Sequence, residues 1–310
     1  MFFKKIMEKK LVSVIIPTYK RSNTLVRSIN SVLNQTYNLL EVLVVDDNNP
    51  DTEARRETEN VMLYFKDNSK VYYIKHECNK NGSAARNTGF RYSKGDYIMF
   101  LDDDDEFFPH KVQSQVDCLE SKDESWGACY TKIEYKKNGK TIMKSAECRE
   151  GDLLVDALGR NLFIAAGSNL MIRRNVIDAI NGFDESFQRN QDLEFLVRIL
   201  KKWKLAFVDE YGLIVFMHSP VKMKHSFDEL TVQFLKLFEK EIEQLNTHDR
   251  NTVFRLINLQ RIRAKLFKEK DCKKATDMIL KKEVNVFDFI RFIYYLSYRI
   301  ITCKSMGFKI

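Results

Sequence analysis

Residues 97–109 read Tyr-Ile-Met-Phe-Leu-Asp-Asp-Asp-Asp-Glu-Phe-Phe-Pro. Tyr97 to Leu101 is an apolar run of the length of a buried strand, and Asp102 to Asp105 follow it with no spacer. Four adjacent carboxylates repel one another and raise each other's pKa unless a cation compensates. A hard divalent ion bound through oxygens would do so, and Mg²⁺ or Mn²⁺ keeps waters and substrate phosphates in its shell. A solvated acidic turn is the other reading of the same residues, so the rest of the chain decides between them.

Upstream, Val12-Ser13-Val14-Ile15-Ile16-Pro17 reads as a strand followed by a break, and Glu41 to Asp47 as a second strand ending in carboxylates. Val71 to Ile74 is a third strand. Asn23 to Leu33 and Ser83 to Tyr92 read as helices, the first with Leu25, Ile29, Val32 and Leu33 on one face. Strands and helices alternating at this spacing predict βαβ units and an α/β fold with a mostly parallel central sheet and flanking helices. Ligands of such sheets bind outside the carboxyl ends of the strands. Three of those ends are polar here: Thr18-Tyr19, Asp46-Asp47 and Asp102 to Asp105.

After about residue 126 the pattern changes. Tyr130 to Tyr135 and Lys140 to Lys144 flank Asn138-Gly139 and predict a hairpin. Leu205 to Met217 is strand-rich, and from about residue 226 the pattern is helical. The expected division is residues 1–217 for the α/β domain and 218–310 for a basic, mainly helical region. Residues 218–310 carry 19 Lys and Arg against 11 Asp and Glu, which is the whole formal excess of +8. Such a segment suits an anionic partner. Within it, Val286, Phe289, Ile290, Ile293, Leu296 and Ile300 fall on one helical face. That face either packs on its own domain or rests on an anionic membrane surface. No RNA- or DNA-binding module accompanies the charge, so nucleic acid is not expected as a partner.

Composition narrows the class. With 44% hydrophobic and 30% charged residues the chain is globular rather than disordered. Its six cysteines have irregular spacings and form no CxxC pair, which predicts a reducing, cytoplasmic setting. Lys4, Lys5, Lys9 and Lys10 precede an apolar run limited to Leu11–Pro17, too short for a secretory signal. No stretch of 18 uncharged apolar residues is present, so no ordinary membrane span is expected.

Six segments occur in a fixed order: Val12 to Tyr19, Val44-Val45-Asp46-Asp47-Asn48, Gly82 through Ala85-Arg86-Asn87-Thr88-Gly89, Leu101 to Asp105, Gly182-Phe183-Asp184-Glu185 and Gln191-Asp192. Together they resemble the family 2 inverting glycosyltransferases with a GT-A fold, a Rossmann-like sheet, over residues 11 to about 218. The resemblance implies transfer of a sugar from a UDP-sugar, with Mn²⁺ or Mg²⁺ as cofactor. It sets Pro17, Tyr19, Asp47, Arg86, Asp102 and Asp104 against the donor. In that reading Asp47 accepts from the donor base, Tyr19 packs beside it and Arg86 lies near the phosphates.

The family pattern Asp-x-Asp-Asp maps onto Asp102, Asp104 and Asp105, with Asp103 at the variable position. Asp104 and Asp105 are the implied metal ligands. Asp102 and Asp105 share contacts to ribose, metal or its waters without a firm division. His218, just after Leu213 to Met217, is the implied histidine of the metal shell, or a structural residue. Asp192 matches the catalytic base, and it also suits the first turn of a helix on electrostatic grounds. The family usually has Glu-Asp there, and this chain has Gln191-Asp192. The loss of a neighbouring charge is expected to lower the Asp192 pKa.

The acceptor is then a hydroxyl of a glycan or of a lipid-linked sugar, in bacterial surface polysaccharide synthesis at the inner face of the membrane. Processive members usually carry spans and a Gln-x-x-Arg-Trp motif. Both are missing, which predicts single additions. A sugar-phosphate nucleotidyltransferase is a rival, but Pro17-Thr18-Tyr19-Lys20-Arg21 lacks the Gly-rich phosphate loop it would need. An inactive glycan-binding scaffold is the second rival, opposed by the intact Asp104 and Asp192.

Overall fold

Every residue of Leu40–Asp46 (β2) is buried, and all but one of Val12–Thr18 (β1). Strands covered on both faces read as unbroken apolar runs, which is why these two lack polar alternation. They pair in parallel from Val12 opposite Leu40 to Thr18 opposite Asp46. The computed structural model describes residues 10–187, 190–218, 227–281 and 283–309. The basic residues Lys4, Lys5 and Lys9 noted above lie outside them.

Between and after β1 and β2 come Ser22–Leu33 (α1), Glu53–Leu63 (α2), Val71–Lys75 (β3), Gly82–Tyr92 (α3), Tyr97–Phe100 (β4), Glu106–Phe107 (β5) and Lys111–Glu120 (α4). The second half continues with Trp126–Lys137 (β6), Lys140–Ser145 (β7), Leu154–Leu158 (α5), Ala166–Asn169 (α6), Met171–Arg173 (β8), Arg174–Ile180 (α7), Gln191–Leu200 (α8) and Lys204–Phe216 (β9). The last third holds Phe227–Leu237 (α9), Glu239–Gln244 (α10), Thr247–Ala264 (α11), a π-helical turn at Lys265–Glu269, Cys272–Leu280 (α12), Val286–Thr302 (α13) and Lys304–Ser305 (β10).

One mixed sheet runs in the order β10-β7-β6-β8-β4-β1-β2-β3, with β9 pairing both β6 and β5. Its β4-β1-β2-β3 part is parallel, as the alternating pattern predicts. Antiparallel pairing enters at β8, inserted between β4 and β6, and at the β6–β7 hairpin. Side chains alternate across the sheet. Ile15, Leu43 and Phe100 meet α3 and α8 on one face. Val14, Val44 and Met99 meet α1 and α4 on the other. Helix α3 lies so close to β1 that a Cβ on Gly89 would sit 2.3 Å from Ile15.

Helix α2 has no counterpart among the sequence expectations. Its N-terminus is capped by Thr52, whose hydroxyl accepts from the Arg55 amide. Arg55 is itself buried, with its guanidinium against Asp46 and donating to the His76 carbonyl at 2.7 Å. A charged residue on the packed side of a short helix defeats apolar periodicity.

The segment after β9 shares cores with what precedes it. Phe234, Phe238, Val253 and Ile257 belong to the same buried cluster as Ile15 and Phe100. A further cluster joins α11, α12 and α13 to Phe308. The tail is latched on: the Phe308 amide donates to Asn161 Oδ1, and Asn161 Nδ2 donates back to the Phe308 carbonyl, both at 2.7 Å. Helix α13 packs by only part of the face its periodicity suggests, through Phe289, Ile293 and Leu296. Phe292, Tyr295 and Leu296 are buried, while Ile290 and Ile300 are 61% and 68% exposed. The cause is Asp288, whose buried carboxylate takes a two-pronged pair of bonds from Arg255 on α11 and so sets the rotation of the helix. Among the described residues no helix is long and apolar enough to cross a membrane.

Lys111 opens α4 with a wholly buried side chain. Its Nζ donates to Asn169 Oδ1 at 2.7 Å and the Asn169 carbonyl at 3.1 Å, tying α4 to α6. Burial pulls its pKa down to about 7. The unfolded chain therefore binds one more proton between about pH 7 and 10.5, so this group's contribution to stability rises with pH over that window. Lys111→Met removes a donor from Asn169, whose oxygens keep Gln115 and Thr131 as partners, and should cost about 0.5–1.5 kcal/mol at pH 9. The gap to the wild type should narrow as pH falls to 7, measured by urea unfolding.

Candidate active site

Because β1, β2 and β4 run parallel, Thr18, Asp46 and Asp102 emerge at one edge of the sheet. The acidic run there is half submerged: Asp103, Asp104 and Asp105 are buried and Asp102 is partly exposed. One oxygen each of Asp102, Asp104 and Asp105 lie within 4.8 Å of one another. Burial and the neighbouring Asp102 and Asp104 hold the Asp105 carboxyl well above the usual carboxylate range. Asp103 is pushed up to about 6, chiefly by burial, against the hydrogen bond from Thr18 and the charge of Arg21.

Three cationic or dipolar groups offset this charge. Arg21 Nη1 sits 2.5 Å from Asp104 Oδ2 and 3.3 Å from Asp103 Oδ1. Arg86 Nη2 sits 2.5 Å from Asp102 Oδ1. His218 Nε2 is 2.8 Å from Asp104 Oδ2, so the structure places the histidine against the cluster. Backbone is used too: Arg27 donates to the Asp104 carbonyl and Ser28 to the Asp105 carbonyl, both at 2.8 Å, which fixes the turn on α1. Hard oxygen donors gathered to this spacing, with an imidazole at their margin, fit a small divalent cation.

Two cavities meet at this edge and share Arg86 and Asp102. The larger, about 430 Å³, lies over Pro17, Tyr19 and Asp47. The other, about 360 Å³, lies against Gly167, Ser168, Gln191 and Asp192. Tyr19 is 41% exposed, an aromatic face open to the first cavity. Asp47 is buried and heavily engaged. His76 Nδ1 (2.7 Å) and the Lys80 amide (2.8 Å) reach its Oδ1, and Asn79 Nδ2 (2.7 Å) and the Asn81 amide (3.0 Å) reach its Oδ2. These bonds fold residues 79–81 under the cavity. Asn81 then caps α3 by accepting from the Ala84 amide, which sets the helix that carries Arg86.

Asp192 stands in the first turn of α8. Burial pushes its carboxyl up and Asp102 adds to this, while Arg86 and the Leu193 amide oppose it. Burial therefore sets the net direction upward, while Gln191 adds no negative charge beside it. Gln191 accepts from Arg86 Nη1 at 3.3 Å and donates to the Phe187 carbonyl at 2.7 Å, so the amide links Arg86 to the preceding turn. That turn is held from both sides. Phe183 stacks on Phe195 of α8 at 4.0 Å, and Asn87 of α3 exchanges two hydrogen bonds with the Phe183 backbone. Gly182 has φ +66, and a Cβ there would meet Asn87 at 2.5 Å.

Arg21 and His76 have no role in the sequence reading, where Thr18 is only a polar strand end and Asp103 only the variable position of the acidic run. Thr18 and Arg21 pin Asp103, whose Oδ2 accepts from the Thr18 hydroxyl at 2.8 Å. A signal existed for Arg21, since a run of four carboxylates calls for a cation near the end of the adjacent strand. None existed for His76, which lies far from Asp47 in sequence and meets it only through the β2–β3 pairing.

A GT-A-type sheet with its acidic strand end and two facing cavities defines a class of sugar-transferring folds. A family model described as Glycosyl transferase family 2 matches residues 13–180, and the chain belongs to that family. It is 32% identical over 212 residues to an uncharacterized glycosyltransferase of Rickettsia felis, covering 66% of this chain and 33% of that protein. It thus spans a third of that relative's length. It is 37% identical over 113 residues, 36% of this chain and 42% of the other, to the Escherichia coli UDP-Glc:alpha-D-GlcNAc-diphosphoundecaprenol beta-1,3-glucosyltransferase WfgD. The crystal structure of S. aureus TarS 1-349 in complex with UDP shares the fold with a TM-score of 0.62 at 17% identity, over 84% of this chain and 73% of that one.

Asp47→Asn replaces an acceptor by an amide facing donors. Unfolding measured in urea should show a loss of about 1–3 kcal/mol, the cost of unpaired buried polar groups.

Proposed function

We propose that this protein is an inverting, non-processive glycosyltransferase. It moves a sugar from a UDP-sugar to a hydroxyl of a glycan or lipid-linked acceptor in bacterial surface polysaccharide synthesis, working on the cytoplasmic side. The observation that carries this reading is the pair of cavities joined at Arg86 and Asp102, one beside Tyr19 and Asp47, the other beside Asp192. The name of WfgD and the UDP bound to TarS support the donor class.

In this reading the nucleotide lies in the first cavity, with its base beside Tyr19 and the loop organised by Asp47. Arg86, held between Asp102 and Gln191, faces the diphosphate. The acceptor enters the second cavity. Its hydroxyl gives its proton to Asp192 as the oxygen attacks C1 of the sugar from the side opposite the diphosphate. The new C–O bond forms, the bond from C1 to the phosphate oxygen breaks, and UDP leaves. Inversion follows from the single displacement, and one carboxylate suffices as base. Asp102, Asp104, Asp105 and His218 would hold Mn²⁺ or Mg²⁺, which when bound neutralises charge on the leaving diphosphate.

Asp192→Asn should leave UDP affinity nearly unchanged and lower turnover by about 10²–10⁴-fold. Only the ionised base works, and its pKa is raised. Wild-type turnover should therefore fall on the acid side at a higher pH than an ordinary aspartate would set. UDP release across pH checks both, and a loss of less than about tenfold would place the base elsewhere.

Asp104→Ala removes a carboxylate from the cluster and should abolish the Mn²⁺-dependent part of UDP binding while the fold is retained. Calorimetry of UDP with and without Mn²⁺ reads this directly. Equal affinity in variant and wild type would remove the metal from the reading.

A further inference from the structure

Some cations on the C-terminal helices have acidic partners. Arg255 pairs with Asp288, Arg261 with Asp228, and Lys265 with both Asp228 and Glu269. Three others converge on one groove of about 380 Å³ between the end of α13, the β7 edge and the π-helical turn: Arg263, Arg299 and Lys304. Among the described residues none of the three is in an ion pair. Arg263 finds only Gln260 Oε1, at 3.4 Å. Arg299 donates to neutral oxygens, the Tyr295 hydroxyl at 2.9 Å and the Lys304 carbonyl at 3.3 Å. Lys304 lies opposite Lys144 in the β10–β7 ladder, a like-charge pairing. Desolvation and the nearby Arg299 push the Arg263 pKa down, so the cluster is held against its own repulsion.

The walls of the groove are apolar and open to solvent. Phe267 is 56% exposed, Ile142 42% and Ile300 68%. Ile301 beside them is 81% exposed, and Ile290 and Tyr294 continue the apolar side of α13 away from its packed face. A free inorganic anion would satisfy the cations and leave these walls in water. A ligand with an anionic head and an apolar chain satisfies both.

We propose that this groove is a seat for an anionic phospholipid of a membrane surface. Its phosphate lies among Arg263, Arg299 and Lys304, and its chain lies along Phe267 and Ile300. The exposed side of α13 rests on the same surface. This seat is separate from the two cavities at the strand ends and stands whatever sugar is transferred.

The test is co-flotation of the full chain with vesicles of phosphatidylcholine, with and without phosphatidylglycerol. Binding is expected only with the anionic lipid. Arg263→Gln and Lys304→Gln should each weaken it about fivefold, the equivalent of the ~1 kcal/mol that one Lys or Arg near an anionic surface contributes. Ile300→Asp, at a position already exposed, should abolish it. Lys273→Gln, an exposed cation on α12, should change it by less than about twofold. Thermal melts and UDP binding should match the wild type for Ile300→Asp and Lys304→Gln, which separates lost lipid binding from lost fold. No vesicle binding, equal binding to both lipids, or equal weakening by Lys273→Gln would overturn the seat. So would inorganic phosphate alone raising the melting temperature as much as the anionic vesicles do.

Discussion

Repulsion within Asp102–Asp105 is the constraint around which the first half of the molecule is arranged. The four carboxylates are placed at the end of a buried strand, where water can screen them only partly. Arg21 from the start of α1, Arg86 from the middle of α3 and His218 from the end of β9 each approach one of them. Three separate elements are thus drawn to one point by charge. The walls of both cavities follow from that convergence, because Arg86 and Asp102 belong to both.

The second half of the chain does a different job. It sets the position of Asp192 relative to that charge. The aromatic stack of Phe183 on Phe195, with Phe100 edge-on to both, fixes α8 against the sheet. Asn87 ties the turn before α8 to α3, the helix that carries Arg86. Lys111 reaches beneath the sheet edge to Asn169 and so supports α6, whose Ser168 donates towards the Asp105 carboxylate and accepts from the Asp102 amide. The surroundings of the two cavities are therefore parts of one hydrogen-bonded body.

The basic third is joined to this body through shared packing and a latched tail, and its exposed apolar side points away from it. Its charge excess is not spread evenly, since several cations are neutralised within the helices and three collect in one groove. Formal net charge alone would not distinguish a diffuse basic surface from a local seat. The convergence of Arg263, Arg299 and Lys304 on one groove does.

Sequence alone determined the parallel part of the sheet, the helices α1, α3 and α8, and the chain order of the acidic run, Asp47, Arg86 and Asp192. These rest on local periodicity and on short motifs, where each signal lies within a few residues. The tertiary structure decided what depends on distant pairing. It inserted β8 antiparallel between β4 and β6, because that strand is only three residues long and carries little pattern of its own. It rotated α13 through the Asp288–Arg255 pair, so the buried face is centred on Phe292 and Tyr295 and takes only Phe289, Ile293 and Leu296 from the apolar stripe counted from periodicity. It joined His76 to Asp47 and Arg21 to Asp104. It also raised the pKa of Asp192 by burial, a cause that no local pattern records. The reason is the same in each case: local patterns record which residues prefer to be covered, and only the folded chain shows what covers them.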